Sequence, residues 1–283
     1  MLTGALFPAL HGLQFLVHPG LMFLLFLAFL GLPAGLPRIH ASQLRILVAS
    51  WVLAGIGCAA FWHFSHDLAL IALLLALTPT ATASPVVTAL LGGRIEYPAT
   101  MVLLTNLVQP PLVVLAVSRL QVAHIQVDLL PMMTSTLLTI LGPWLLARVL
   151  LRLLPPGGRA TLLRLRGLSF WLWLVVLAVA VAGASEFLRR GLAPWWSVGS
   201  IAILSLAVCS LNFLIGRRLG APLHPTEASQ SMGQKNTMFS LWFALTYLSP
   251  LVALGPASYI LWHNLWNAWQ LRNTGHPSPA DED

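Results

Sequence analysis

Lys235 is the only lysine in the chain, and it stands in a polar stretch, Ser-Gln-Ser-Met-Gly-Gln-Lys-Asn-Thr (229–237), that interrupts hydrophobic sequence. The other fourteen basic residues are arginines near the ends of apolar runs. A charged amine at the centre of a bilayer costs about 2.5–3.5 kcal/mol on insertion scales, so a group kept there belongs by default to a pathway or a binding site. An ammonium in that position can attract an anion or take the place of a bound cation. Where burial disfavours its charged form, it can also carry a proton. A second polar stretch, Thr78-Pro-Thr-Ala-Thr-Ala-Ser-Pro85, cuts another apolar run. Thr105, Asn106 and Gln109 follow on the next run, where Thr105 and Gln109, four apart, share a helix face. They line a cavity or hold two helices together, and the pattern suits both. Thr134, Ser135, Thr136, Thr139 and Asn212 read as packing groups. Glu96 is a gate or proton partner, or a solvated turn residue beside Arg94. His11 and His18 show no ligand spacing. Cys58 and Cys209 lie in apolar runs without a partner, so neither a metal site nor a disulfide is expected, and no cofactor.

The elements that must carry these residues are membrane helices. The chain is 58% hydrophobic and 8% charged, with mean hydropathy +0.83, whereas soluble domains carry about 25% charged residues. Its net charge of +7 does not point to nucleic acid, because the arginines cluster in turns between apolar runs. Apolar runs fall at 20–36, 44–62, 66–92, 95–118, 128–153, 166–187, 194–215, 226–248 and 250–271, preceded by a shorter one at 2–17. That first run, about 24 Å as helix, is expected as a shortened first helix. Alternate threading puts Arg38, Arg45, Arg94, Arg148, Arg152, Arg159, Arg164, Arg166, Arg217, Arg218 and Arg272 on one side, against Arg119, Arg189 and Arg190 on the other. The first side is therefore expected to be cytoplasmic, with the C-terminus inside. Tryptophans at segment ends (Trp62, Trp171, Trp195, Trp196, Trp266, Trp269) suit interfacial belts or lipid-facing positions. No basic leader precedes the first run, so a cleaved signal peptide is not expected.

Two runs are broken. Pro79 and Pro85 each remove a backbone donor and clash with the preceding turn. In the second run, 238–269 alone would make a helix of about 48 Å, too long for one span and too short for two, and adding 226–237 completes a hairpin. The alternative is a long cytoplasmic loop from which Lys235 snorkels to the interface. The breaks occupy matching places in two halves, 1–119 and 127–272, followed by a disordered cytoplasmic tail at 273–283. Interrupted spans at corresponding positions point to an inverted-repeat secondary transporter. The expected fold is an all-α polytopic membrane protein of about ten transmembrane helices in two inverted five-helix repeats, the fourth and ninth broken and crossing. Half-helix N-termini there would offer N–H groups, and with Lys235 they imply a small organic anion as substrate.

At these residues the chain resembles the bile acid:sodium symporter family, within a larger superfamily of crossed-helix transporters. Three motifs carry the resemblance: Thr82-Ala-Ser-Pro-Val-Val-Thr-Ala-Leu-Leu-Gly-Gly93, Gly233-Gln-Lys-Asn-Thr237 and Trp262-His263-Asn264. The family's pattern implies that Thr82, Ser84, Asn236, His263 and Asn264 contact substrate. Lys235, Gln234 and Ser231 are expected to form the crossover and its coupling groups, with Asn106 and Gln109 of the next run beside them. The departures are specific. Ser231 stands where the family has a carboxylate, Lys235 where it has glutamine, and Pro85 where it has asparagine. Pro98 and Val102 replace two hydroxyl ligands. Sodium needs oxygen ligands, as other hard cations do, so both sodium sites are read as lost and Lys235 as standing in for the cation. In that role its ammonium is expected to donate to carbonyls around Thr78–Ala83 and to Gln234 or Ser231. The expected protein is thus a multi-pass protein of the cell (inner) membrane whose partners are the lipid bilayer and a small organic anion, transported without sodium. A sodium- or proton-coupled symporter is the alternative. A passive channel or an intramembrane enzyme stands further off: Ser84 with His263 has nothing to orient the histidine, and neither Gly-x-Ser-x-Gly nor His-Glu-x-x-His occurs.

Overall fold

A computed structural model describes residues 8–31, 39–120, 128–189 and 194–273. The expected tail, the junction between the halves at 121–127 and the first seven residues lie outside them. The described chain is helical throughout, and its one extended pairing is an isolated bridge between Thr80 and Lys235. Among the described residues five helices are long and apolar enough to cross a membrane (Gly12–Phe29, Ala41–Trp62, Glu96–Leu120, Leu129–Leu153 and Trp195–Gly220), as a helical membrane protein requires.

A 3-10 segment, Pro8–Leu16, runs directly into α1 (Val17–Phe29). Residues 8–29 are therefore one element, where the sequence led us to expect a separate short first helix. Pro19 interrupts nothing, because it lies in the first turn of α1, where a missing N–H costs no helical bond. After it come α2 (Ala41–Trp62), α3 (His66–Leu77), α4 (Ser84–Leu90) and α5 (Glu96–Leu120), then α6 (Leu129–Leu153), α7 (Pro156–Arg164) and α8 (Ser169–Arg189). The chain finishes with α9 (Trp195–Gly220), α10 (Pro225–Gly233), α11 (Thr237–Tyr247) and α12 (Pro250–Asn273).

The helices pack as two groups. The 3-10 segment, α1, α6 and α8 lie against one another, while α2, α3, α4, α5, α9, α10, α11 and α12 surround the two breaks. The groups meet where α5 touches α6, α12 touches α8, and α11 touches α1 and α8. In the second group α3 packs on α12 and α10 packs on α5, so each leading half-helix lies against the helix that follows the other break. The α9–α10 contact is close because Gly216 and Gly220, four apart, present no side chain to α10. A Cβ on Gly216 would sit 2.6 Å from the Ala228 carbonyl oxygen, and one on Gly220 would meet the Ala228 methyl.

Both breaks begin for local reasons. Thr78, held extended (φ −60°, ψ 133°), precedes Pro79, which disfavours the helical region for the residue before it. The turn after α4 relies on Gly92, whose φ of 76° suits glycine. The second break opens where Gly233 packs face-on against the Phe213 ring, leaving no room for a side chain. Gln234 then turns extended (φ −81°, ψ 104°).

Candidate functional site

Non-helical backbone within a membrane protein must find hydrogen bonds inside the protein, and here the two breaks supply them to each other. The Ala81 N–H donates to the Gln234 carbonyl (2.8 Å), and the Asn236 N–H donates to the Pro79 carbonyl (2.7 Å). Helix α5 completes the first break. The Thr80 N–H donates to Thr105 Oγ1 (2.9 Å), and Asn106 Nδ2 donates to the Thr80 carbonyl (3.3 Å) and to Val102 (2.8 Å). The segment 229–235 is buried throughout, so it is a crossover within the fold and not a solvent-facing loop.

Side chains from each break then cap the half-helix of the other. A helix leaves its last four carbonyls without intrahelical donors. Thr80 Oγ1 donates to the Ser231 carbonyl at the end of α10 (2.6 Å), and the Tyr259 hydroxyl donates to Gly233 (2.8 Å) while accepting from Asn212 Nδ2 (3.1 Å). In return, Lys235 Nζ donates to the Ala76 carbonyl in the last turn of α3 (3.0 Å), beside Thr78 Oγ1, which donates to Leu74 (2.6 Å). A cation at a helix C-terminus meets the negative end of the macrodipole. The ammonium reaches further back than the expected Thr78–Ala83 carbonyls, of which those of Pro79, Thr80, Ala81 and Ala83 accept from Asn236, Asn106, Ser84 and the pair Val86 and Val87.

At the half-helix N-termini part of the donor set is engaged within the crossing, while the N–H groups of Thr82, Ala83 and Met238 have no backbone partner. Ser84 N–H bonds Ala81, Val86 and Val87 bond Ala83, and Pro85 has no N–H. At α11, Asn236, Thr237, Phe239 and Ser240 are likewise engaged. The positive group at the crossing is Lys235 itself, only 3% exposed.

The residues singled out from sequence separate into two sets. Lys235, Gln234, Ser231, Asn106 and Ser84 are all buried at or beside the crossing, with Thr82 and Asn236 half-buried there. Gln109, buried on α5, Gln234 and Asn106 each hold a side-chain oxygen with no intramolecular partner, as does the Ser84 hydroxyl. Such atoms are costly to leave unmet. His263 is half-buried one turn beyond Tyr259, edge-on to its ring at 5.8 Å. Asn264 stands apart. It is exposed, and its amide donates to Ile260 on its own helix (2.7 Å).

Sequence reasoning missed Thr80, Tyr259, Gln230 and Glu227. Gln230 is fully buried on α10 and donates through Nε2 to Asn267 (3.2 Å) and Gln270 (2.7 Å) on α12. Glu227, 7% exposed in the first turn of α10, accepts from the Arg94 N–H (3.0 Å) in the turn between α4 and α5. The signal was faint: a buried carboxylate four residues before Ser231, on the face that Ser231 Oγ marks by donating to the Glu227 carbonyl (2.7 Å). Among the described residues, no group of three or more His, Cys, Asp and Glu side chains is placed to hold a metal. Neither a scan against protein-family models nor a search of curated proteins finds a match to the chain.

Proposed function

We propose that the protein is a secondary transporter of a small organic anion, working by alternating access around the crossing of the two broken segments, without sodium. One observation carries the reading: the two breaks pair backbone to backbone, and the chain's single lysine lies in that pair. Interrupted helices meeting within a membrane fold are how transporters build ion and substrate sites. Where related carriers would place a cation against half-helix carbonyls, Lys235 delivers its own to Ala76. The anion is held by the ammonium together with the hydroxyls of Thr82 and Ser84 and the amides of Gln234 and Asn236, with His263 on the α12 side. The exposed Asn264 drops out of this set.

The halves form an inverted repeat of the kind seen in the bile acid:sodium symporter family. Among the described residues the first contributes four segments, beginning with residues 8–29, and the second five. The broken segment is the penultimate one in each half. The exchange of contacts noted above, α3 on α12 and α10 on α5, is what such a symmetry requires. The excess of arginines on one side supports a cell (inner) membrane protein with its C-terminus in the cytoplasm.

The test is a thermal-shift screen of the purified protein against bile acids, keto acids and sulfonates, with and without sodium. A ligand stabilises only by binding the folded state. At least one anion should raise the midpoint in sodium-free buffer. Stabilisation only in the presence of sodium would transfer the protein to the sodium-coupled class, and none from any anion would remove the substrate class.

A further inference from the structure

Four arginines gather at one rim of the molecule: Arg152 in the last turn of α6, Arg159 and Arg164 on α7, and Arg166 on the 3-10 turn Leu165–Leu168 that follows. All four are exposed, and α7 buries no residue. No carboxylate occurs in the sequence between Asp128 and Glu186, the stretch that carries these four arginines. A further exposed arginine pair, Arg217 and Arg218, lies within ten residues of Glu227 in sequence.

The rim is built, not splayed. Arg159 folds back over the end of α6, donating through Nε to Leu154 (2.8 Å) and through Nη2 to Arg152 (3.4 Å). The Arg166 guanidinium lies against Gly31, just past α1. The ends of α1, α6 and α8 therefore share one basic edge. Helix α8 has 21 residues, about 31 Å, enough to cross the hydrocarbon core without α7. That leaves α7 for the headgroup layer. Beside the guanidinium groups, Leu153, Leu163 and Leu168 are 76%, 39% and 51% exposed. A soluble anion satisfies only the arginines. A phosphate attached to acyl chains satisfies both arginines and leucines.

We infer that this rim docks the phosphate of an anionic phospholipid, bracing the ends of α1, α6 and α8 together. The inference does not depend on the transport reading, and its test is separate. The full chain is reconstituted in nanodiscs of phosphatidylcholine with phosphatidylglycerol and released for native mass spectrometry, counting retained lipid. The wild type should retain phosphatidylglycerol in preference to phosphatidylcholine. The triple variant Arg152→Gln/Arg164→Gln/Arg166→Gln should lose that retention, by about fivefold in affinity for each arginine removed. Arg217→Gln/Arg218→Gln also lowers net charge but should leave retention intact. If the triple variant does not fold, the single substitution R164Q, on an exposed helix, carries the same test with the single-residue effect. Equal retention of both lipids, equal loss in the Arg217/Arg218 variant, or unchanged retention in the rim variants would each overturn the assignment. Stabilisation of the protein by inorganic phosphate to the same extent as by phosphatidylglycerol would also do so.

Discussion

The clamp between the two breaks can be tested at one atom. Thr80 is 1% exposed, and its hydroxyl is the donor to the Ser231 carbonyl. Valine keeps the shape of threonine, so Thr80→Val removes the hydroxyl without opening a cavity, and the backbone bonds of Thr80 to Thr105 and Asn106 are untouched. What remains is a carbonyl at the end of α10, buried and without a donor, because the helix stops at Gly233. An orphaned buried acceptor costs about 1–3 kcal/mol. For a chain of this size each kcal/mol moves the melting midpoint by about 2–4 °C, so T80V should melt about 2–12 °C below wild type. The assay is thermal unfolding in detergent, followed by intrinsic fluorescence. Thr161→Val serves as the control, since that hydroxyl is exposed and bonds Gly157 within its own helix; its midpoint should not move. A T80V protein that melts with the wild type would refute the idea that the breaks are clamped through this contact.

Other outcomes follow from the same geometry. Lys235→Met should fold with stability equal to or above wild type, because removing a buried charge offsets the loss of one bond worth about 1.5–3 kcal/mol, yet anion uptake should vanish. Gly216→Ala forces a methyl to 2.6 Å from the Ala228 carbonyl oxygen and should cost about 1–3 kcal/mol in the same melts. Glu227→Gln should be near neutral, since its amide oxygen still accepts from Arg94, whereas Glu227→Leu orphans that N–H and should lose about 1–3 kcal/mol. Asn264→Ala should leave uptake unchanged, as its amide serves only its own helix.

What could be read in advance was what a single residue decides. Pro79 and the Ser229–Thr237 polar run announce the breaks, since each removes helical bonds or apolar surface at a known place, and a lone lysine among them marks the crossing. The partners of these residues were not readable. Thr80, Tyr259 and Gln230 matter because of which helix lies opposite, and no spacing within one helix encodes its neighbour. Asn264 adjoins His263 in sequence, but consecutive helical residues diverge by about 100°, and its amide bonds its own helix. The merging of residues 8–16 with α1 was hidden by Pro19, which ends a helix in its interior and is tolerated in its first turn.

The central claim is that an anion crosses the membrane at a site made by the two paired breaks and Lys235. Its most direct measurement is uptake of a radiolabelled organic anion, chosen by the thermal-shift screen, into sodium-free proteoliposomes of wild type and of folded K235M. The account predicts uptake that saturates with anion concentration, is accelerated by the same anion preloaded inside, and is absent from K235M. Flux that rises linearly with concentration, or that K235M carries as well as the wild type, would contradict it.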